Sequence, residues 1–258
     1  LRHGPARTAD LAKALGVSVD TVRRDLSHLE RQRIVRRTHG GAALVHSARW
    51  RESEVPMLAA KRAIAQRAVD FVDAAETVAI DIGSTAREFG RALLSRDPVP
   101  RLTVVTNDIY TALELGASES LVVNLTGGRV EQGLLLCGPL TQQTLDSLYF
   151  DVAFMGTSGL TLTEGLTDPI PEAALVKRAF IERARRVILL CDHTKFGRRH
   201  LMRVASVGAV HVVITDDGAP QAMVEELSRQ GIEVVLCSPQ ESRRAGRTVE
   251  EATAGRGE

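Results

Sequence analysis

Several apolar runs in this sequence end on residues suited to holding anions and hydroxyls. In "TVAIDIGST" the run stops at Asp81, Gly83 permits a tight turn, and Ser84 and Thr85 open a helical stretch. Free backbone N–H groups at a helix start, the helix dipole and two hydroxyls favour an anion there. The pattern recurs at Thr106-Asn107-Asp108, at Gly127-Gly128, at Gly156-Thr157-Ser158-Gly159 and at Asp192-His193-Thr194-Lys195. Glycine at such places opens the backbone to a ligand, and Lys195 adds a positive charge. Alone, Ser84 reads most simply as a helix cap and Lys195 equally well as a surface lysine. Together the positions describe a crevice for a small phosphorylated polyol. Amides, hydroxyls and Lys195 would take the phosphate, and Asp81 and Asn107 the hydroxyls. The GxxxxGK spacing of a nucleoside triphosphatase is absent.

A second concentration of chemistry lies near the start. "VSVDTVRRDLSHLERQRIVRRTHGGA" (residues 17–42) packs six arginines into one helical stretch and the extended piece after it. Val19, Val22, Leu26 and Leu29 share one helical face. Arg24 lies opposite that stripe, with Asp20, Ser27, His28 and Arg31 around it and Thr21 and Arg23 at its flanks. Arginine matches both guanine edges and phosphates. A solvated arginine face on a helical hairpin is the plainer alternative.

The elements around these residues favour DNA. "TADLAKALG" gives a first helix with Thr8 as its cap, an apolar face of Ala9, Leu11, Ala12 and Leu15, and Gly16 as its stop. Ser18 caps a second helix after a short turn. Two such helices form a helix-turn-helix, whose second helix reads the major groove. "IVRRTHGGA" then supplies a basic strand and turn, a wing that grips phosphate. Asp25 is expected in a structural ion pair. From Lys61, "KRAIAQRAVDFV" forms an amphipathic helix with Ile64, Ala65, Ala68 and Val72 on one face. Between them Trp50, the single tryptophan, is expected to anchor the junction. From residue 77 onward seven β-branched runs alternate with helical stretches, which argues for a mostly parallel sheet covered on both faces. Ligands of such sheets bind beyond the carboxyl ends of the strands. The fold class is therefore α/β: a winged helix-turn-helix over 1–45, a linker over 46–60, a sensor domain over 61–239, and a polar tail over 240–258 expected to be disordered.

Composition narrows the field. The 258 residues are 44% hydrophobic and 25% charged, enough for a sizeable core. No apolar run is long enough for a membrane helix, and no signal peptide is legible. Cys137, Cys191 and Cys237 lie far apart, so neither a zinc site nor a disulfide framework is expected. Buried free thiols in a reducing cytoplasm fit better. Residues 1–50 hold ten Lys/Arg against four Asp/Glu, a net +6, so the remainder carries −5. A basic head on an acidic body suits a polyanionic partner.

The motifs "TVRRDL" and "RRTHGGA", followed in order by "DIGST", "TVVTND", "LTGG", "AFMGTSGL", "EAALVKRAF" and "DHTKFG", resemble the DeoR family of bacterial transcription regulators. The resemblance spans residues 8–236. It implies Thr21, Arg23 and Arg24 at the DNA, with Arg36, Arg37 and His39 in or near the wing. It implies a sensor domain similar to the sugar-phosphate isomerase and coenzyme A transferase superfamily, with Lys177 near the crevice. Helical periodicity alone would leave Lys177 exposed. The family has a further helix before Thr8, and "LRHGPAR" resembles only its end, so a longer N-terminal segment is expected. The implied function is repression of a carbohydrate operon, relieved by a phosphorylated sugar, in a homodimer or tetramer on a double-stranded operator. No cofactor, metal or catalytic residue is expected. The competing reading is a sugar-phosphate isomerase or deaminase carrying a DNA-binding head, with Asp81, Asp108 or Glu172 as its proton shuttle.

Overall fold

The computed structural model describes residues 6–31, 35–38, 40–44, 55–73, 76–131 and 134–238. His39, Trp50, the tail over 240–258, most of the expected linker and the side chain of Arg36 lie outside them. The chain divides into two compact units, Leu1–Pro56 and Met57–Glu258.

In the first unit, α1 (Thr8–Leu15) and α2 (Val19–Arg31) flank a three-residue turn. Gly16 ends α1 in the left-handed conformation (φ 66°), and its N–H donates to Ala12 O. Ser18 caps α2: its Oγ accepts the Thr21 N–H at 3.0 Å. Strands β1 (Ala6–Arg7), β2 (Val35–Thr38) and β3 (Gly41–Leu44) form an antiparallel sheet in the order β1-β3-β2. A Cβ on Gly41 would stand 2.1 Å from Ala6 O, so only glycine lets β1 join β3. Ala12, Val22, Leu26, Val35 and Ala42 form the core.

Three expectations for this unit change. Thr8 is the first residue of α1 rather than its cap. Its N–H and Oγ1 both donate to Gly40 O, at 2.9 and 3.0 Å, tying α1 to the wing turn. Leu15 and Val19 are 67% and 38% exposed, because the small described core reaches only the middle of each stripe. Asp25 is exposed and makes no ion pair with another described residue.

The second unit is a seven-stranded parallel sheet. Its strands are β4 (Thr77–Ile80), β5 (Leu102–Thr106), β6 (Leu121–Leu125), β9 (Phe150–Gly156), β12 (Ala184–Leu190), β14 (Val212–Asp216) and β15 (Glu233–Cys237). Each corresponds to one of the seven apolar runs. Their order is β15-β14-β12-β9-β4-β5-β6. Between them stand a hairpin, β7 (Arg129–Glu131) with β8 (Leu135–Cys137), and a small antiparallel sheet of β10 (Gly159–Thr161), β11 (Gly165–Asp168) and β13 (Met202–Ala205).

Alternate strand residues feed two cores, which is why the runs read as continuously apolar. On one face Val78, Ile80, Val104, Phe154, Ile188 and Ile214 pack with Ile64 of α3 (Leu58–Ala68), Phe89 and Leu93 of α4 (Ser84–Leu94), and Leu115 of α5 (Ile109–Leu115). On the other, Ala79, Met155, Leu189 and Val213 pack with Leu145 of α6 (Pro139–Asp146), Phe180 of α7 (Pro171–Arg183) and Leu227 of α8 (Gln221–Arg229). The α3 helix starts at Leu58, ahead of the expected Lys61. Cys137, Cys191 and Cys237 are buried and form no disulfide among the described residues.

The strand order fixes where a ligand can enter. The chain lays β5 and then β6 outward from β4, and returns to place β9 on the other side of β4 before building out to β15. The direction reverses between β4 and β9, and the crevice beyond the carboxyl ends of those two strands is the topological switch point.

Candidate functional site

Asp81 follows β4 at the switch point and is fully buried. Its N–H donates to Phe154 O at 3.1 Å, and its Oδ2 accepts the Gly156 N–H at 3.1 Å. The Lys177 ammonium, reaching in from α7, donates to the same Oδ2 and to Gly156 O at 3.2 Å. Asp168 Oδ2 stands 3.9 Å from that ammonium and accepts the Ser158 hydroxyl at 3.2 Å. Burial raises the Asp81 pKa, and Lys177 pulls it back down. Asp81 Oδ1 is buried and has no hydrogen-bond partner among the described residues. A carboxylate with one oxygen locked by lysine and the other unused can accept from a hydroxyl brought to it.

Lys177 is thus buried, not exposed as its periodicity suggested. It shares a helical face with Ala173, Ala174, Phe180 and Ile181, so it points into the core and its stem ends at the Asp81 carboxylate.

Asn107 follows β5 on the adjacent strand and is also fully buried. Neither its side-chain oxygen nor its nitrogen has a partner among the described residues. Unpaired amide atoms in an interior are costly. Its neighbours are fixed. Asp108 takes two hydrogen bonds from Arg87, at 2.6 and 3.1 Å, and caps α5 through the Tyr110 N–H. Thr106 Oγ1 accepts the Asp108 N–H at 3.1 Å. Gly83 enters α4 with φ 145° and ψ 163°, a backbone only glycine adopts freely, followed by half-buried Ser84 and buried Thr85.

Further along the sheet edge, Asp192 follows β12, fully buried. Its Oδ1 accepts the Thr194 N–H and hydroxyl. Its Oδ2 lies 3.8 Å from the Lys61 ammonium of α3, and both side chains are buried. Burial lowers the Lys61 pKa, Asp192 raises it, half-buried Lys195 lowers it and Glu88 raises it.

The remaining candidates serve the protein's own turns. Thr157 Oγ1 donates to Gly159 O at 2.8 Å, and Gly127 O accepts the Thr141 hydroxyl at 2.7 Å. A Cβ on Gly128 would meet Thr141 Oγ1 at 2.1 Å, and one on Gly159 would meet Arg198 O at 2.4 Å. Close packing therefore explains both glycines. Lys61 and Asp168 were missed in the sequence. The signal for Lys61 was present: it precedes Ile64, Ala65 and Ala68 by three, four and seven residues, which puts a charge on the apolar face.

In the first unit, Arg24, Ser27 and His28 lie exposed along α2. Asp20 pairs with Arg23 at 3.0 Å. Thr21 is half-buried, its Oγ1 2.8 Å from Ser18 Oγ. Arg37 turns back from the wing: its Nη1 stands 3.3 Å from both Arg23 O and Ser27 Oγ, and its N–H donates to Glu30 Oε1. The arginine side chain joins the wing to the second helix.

A winged helix-turn-helix with an arginine-bearing second helix, joined to a parallel α/β domain whose polar residues gather at a switch point, defines a DNA-binding regulator with a sensing domain. Residues 1–48 match the DeoR-like helix-turn-helix domain and residues 57–217 the DeoR C terminal sensor domain, and the chain belongs to the DeoR family of transcriptional regulators. It is 35% identical over 233 residues to the HTH-type transcriptional regulator GlpR of Haloferax volcanii, covering 87% of this chain and 89% of that one. It is 32% identical over 241 residues to the glycerol-3-phosphate regulon repressor of Escherichia coli, covering 92% and 94%. A ribose 5-phosphate isomerase from Methanocaldococcus jannaschii overlays 53% of each chain at 17% identity and a TM-score of 0.40, too loose to carry an argument. Among the described residues no helix is long and apolar enough to cross a membrane, and no His/Cys/Asp/Glu group could hold a metal ion.

Proposed function

We propose that this regulator is a repressor released by a small phosphorylated sugar or polyol. The observation that carries the reading is that two buried groups at adjacent strand ends, Asp81 Oδ1 and the Asn107 amide, have no partner among the described residues. They suit ligand hydroxyls. The start of α4 at Ser84 and Thr85, with Lys195 and Lys61, suits the phosphate. The same chemistry agrees with the glycerol-3-phosphate in the name of the Escherichia coli relative. On the DNA side, Arg24 with Thr21, Arg23, Ser27 and His28 would face the major groove and the wing the backbone. Paired half-sites about 34 Å apart call for at least a dimer.

The enzyme reading is weaker on the same geometry. A proton shuttle needs a carboxylate free to exchange its proton. One Asp81 oxygen is tied to Lys177, and Asp108 is clamped by Arg87. A thermal-shift screen of the full chain against sugar and polyol phosphates, with product analysis of each mixture, tests the proposal. Saturable stabilisation without product supports it. Turnover, or no stabilisation by any phosphorylated carbohydrate, refutes it.

A further inference from the structure

Lys61 is engaged at both ends. Its ammonium faces Asp192 Oδ2 at 3.8 Å in a buried pair. Its backbone N–H donates to Met57 O at 3.0 Å and closes the first turn of α3. Met57 holds φ 59° and ψ 32°, and is the one non-glycine residue with positive φ among the described residues. A residue with a Cβ is strained there and stays only where its surroundings hold it. Met57 is also the first residue of the sensing unit, directly after the division at Pro56. One residue therefore connects the strand-end crevice, through its side chain, to a strained turn at the junction, through its backbone.

The ion pair is suited to yielding. At 3.8 Å the Lys61–Asp192 contact is an attraction without a direct hydrogen bond between these two groups, and Asp192 Oδ2 accepts no hydrogen bond among the described residues. The Lys195 N–H donates to Asp192 O at 3.0 Å, so a second lysine belongs to the same turn, and its charge opposes that of Lys61. An anion brought to these lysines would compete with Asp192 for the Lys61 ammonium.

We propose that Lys61 transmits occupancy of the crevice to the junction: an anion beside Lys195 draws its ammonium off Asp192, loosens the Lys61–Met57 turn, and lets Met57 leave the left-handed region. The inference rests on the effector reading above. Lys61 acts on the DNA-binding unit through Met57. The coupling needs no more than a different affinity of the anion for the two arrangements.

The test uses the full chain without ligand, so it does not depend on finding the effector. Amide hydrogen exchange is measured across residues 57–62 in the wild type, Asp192→Asn and Lys61→Met. Affinity is measured for a duplex that the wild type selects from a random pool. Both variants are expected to exchange at least tenfold faster at 57–62, with the rest of α3 and β12 unchanged, and to bind the duplex at least fivefold more weakly. Asp151→Asn, at the opposite end of the sheet, should leave 57–62 unchanged. Unaltered exchange at 57–62 overturns the proposal. So does a uniform rise across α3 and β12, which marks a purely structural pair, or local loosening with unchanged DNA affinity. A wild type that selects no duplex refutes the regulator reading itself, while the exchange comparison still decides whether the Lys61–Asp192 pair holds the turn.

Discussion

At the scale of single residues, buried charge decides most of what this protein can do. Lys177 and Asp81 meet in the interior, where losing one partner strands the other. Lys177→Met is expected to cost about 3–5 kcal/mol of stability. Asp81→Asn on top of it should recover part of that loss, measured by urea unfolding of both variants. Asn107→Leu makes the opposite prediction. Removing amide atoms that pair with nothing in the described protein should leave stability unchanged or raised, while stabilisation by phosphorylated ligands disappears. Unaltered ligand stabilisation in Asn107→Leu would move the hydroxyl contacts elsewhere. In the head, Arg24 lies on the exposed face of α2, so Arg24→Ala should weaken DNA binding by about 1–3 kcal/mol in a band-shift titration and leave the melting temperature in place.

At the scale of elements, the two strands at the switch point are clamped from behind. Asp151, near the start of β9, accepts the Thr77 N–H and hydroxyl at 2.9 and 2.7 Å, and its own N–H donates to Thr77 Oγ1. Those hydrogen bonds lower the Asp151 pKa. A carboxylate with a depressed folded-state pKa stabilises above its unfolded value and loses that contribution as pH falls through the folded one. Asp151→Asn should cost about 1 kcal/mol near neutrality. The gap to wild type should close below about pH 4; a constant gap down to pH 2 would contradict the assignment. The strands themselves were legible in the sequence, because burial on both faces makes each a continuous apolar run. The strand order was not. Parallel neighbours such as β4 and β9 are joined by long-range packing that leaves no local mark, and the switch point follows from that order. Lys61 was missed, and periodicity alone left Lys177 exposed, because a lysine whose stem crosses the core breaks the polar-out rule, although each sits on an apolar face. The small sheet of β10, β11 and β13 was hidden by the shortness of its strands.

At the scale of the whole molecule, a basic head on an acidic body fits a protein that meets DNA with its first unit. DNA affinity should fall steeply with salt, with a log–log slope of about −0.9 for each phosphate neutralised. A flat response from 50 to 200 mM salt would remove the electrostatic account of the head. The central claim is that the two units are coupled through a phosphorylated carbohydrate. Its most direct measurement is fluorescence anisotropy of a labelled duplex bound by the full chain, titrated with the compound that most raises the melting temperature. The account predicts saturable release of the duplex, abolished by Asn107→Leu. Binding of that compound with the duplex still fully held would contradict it.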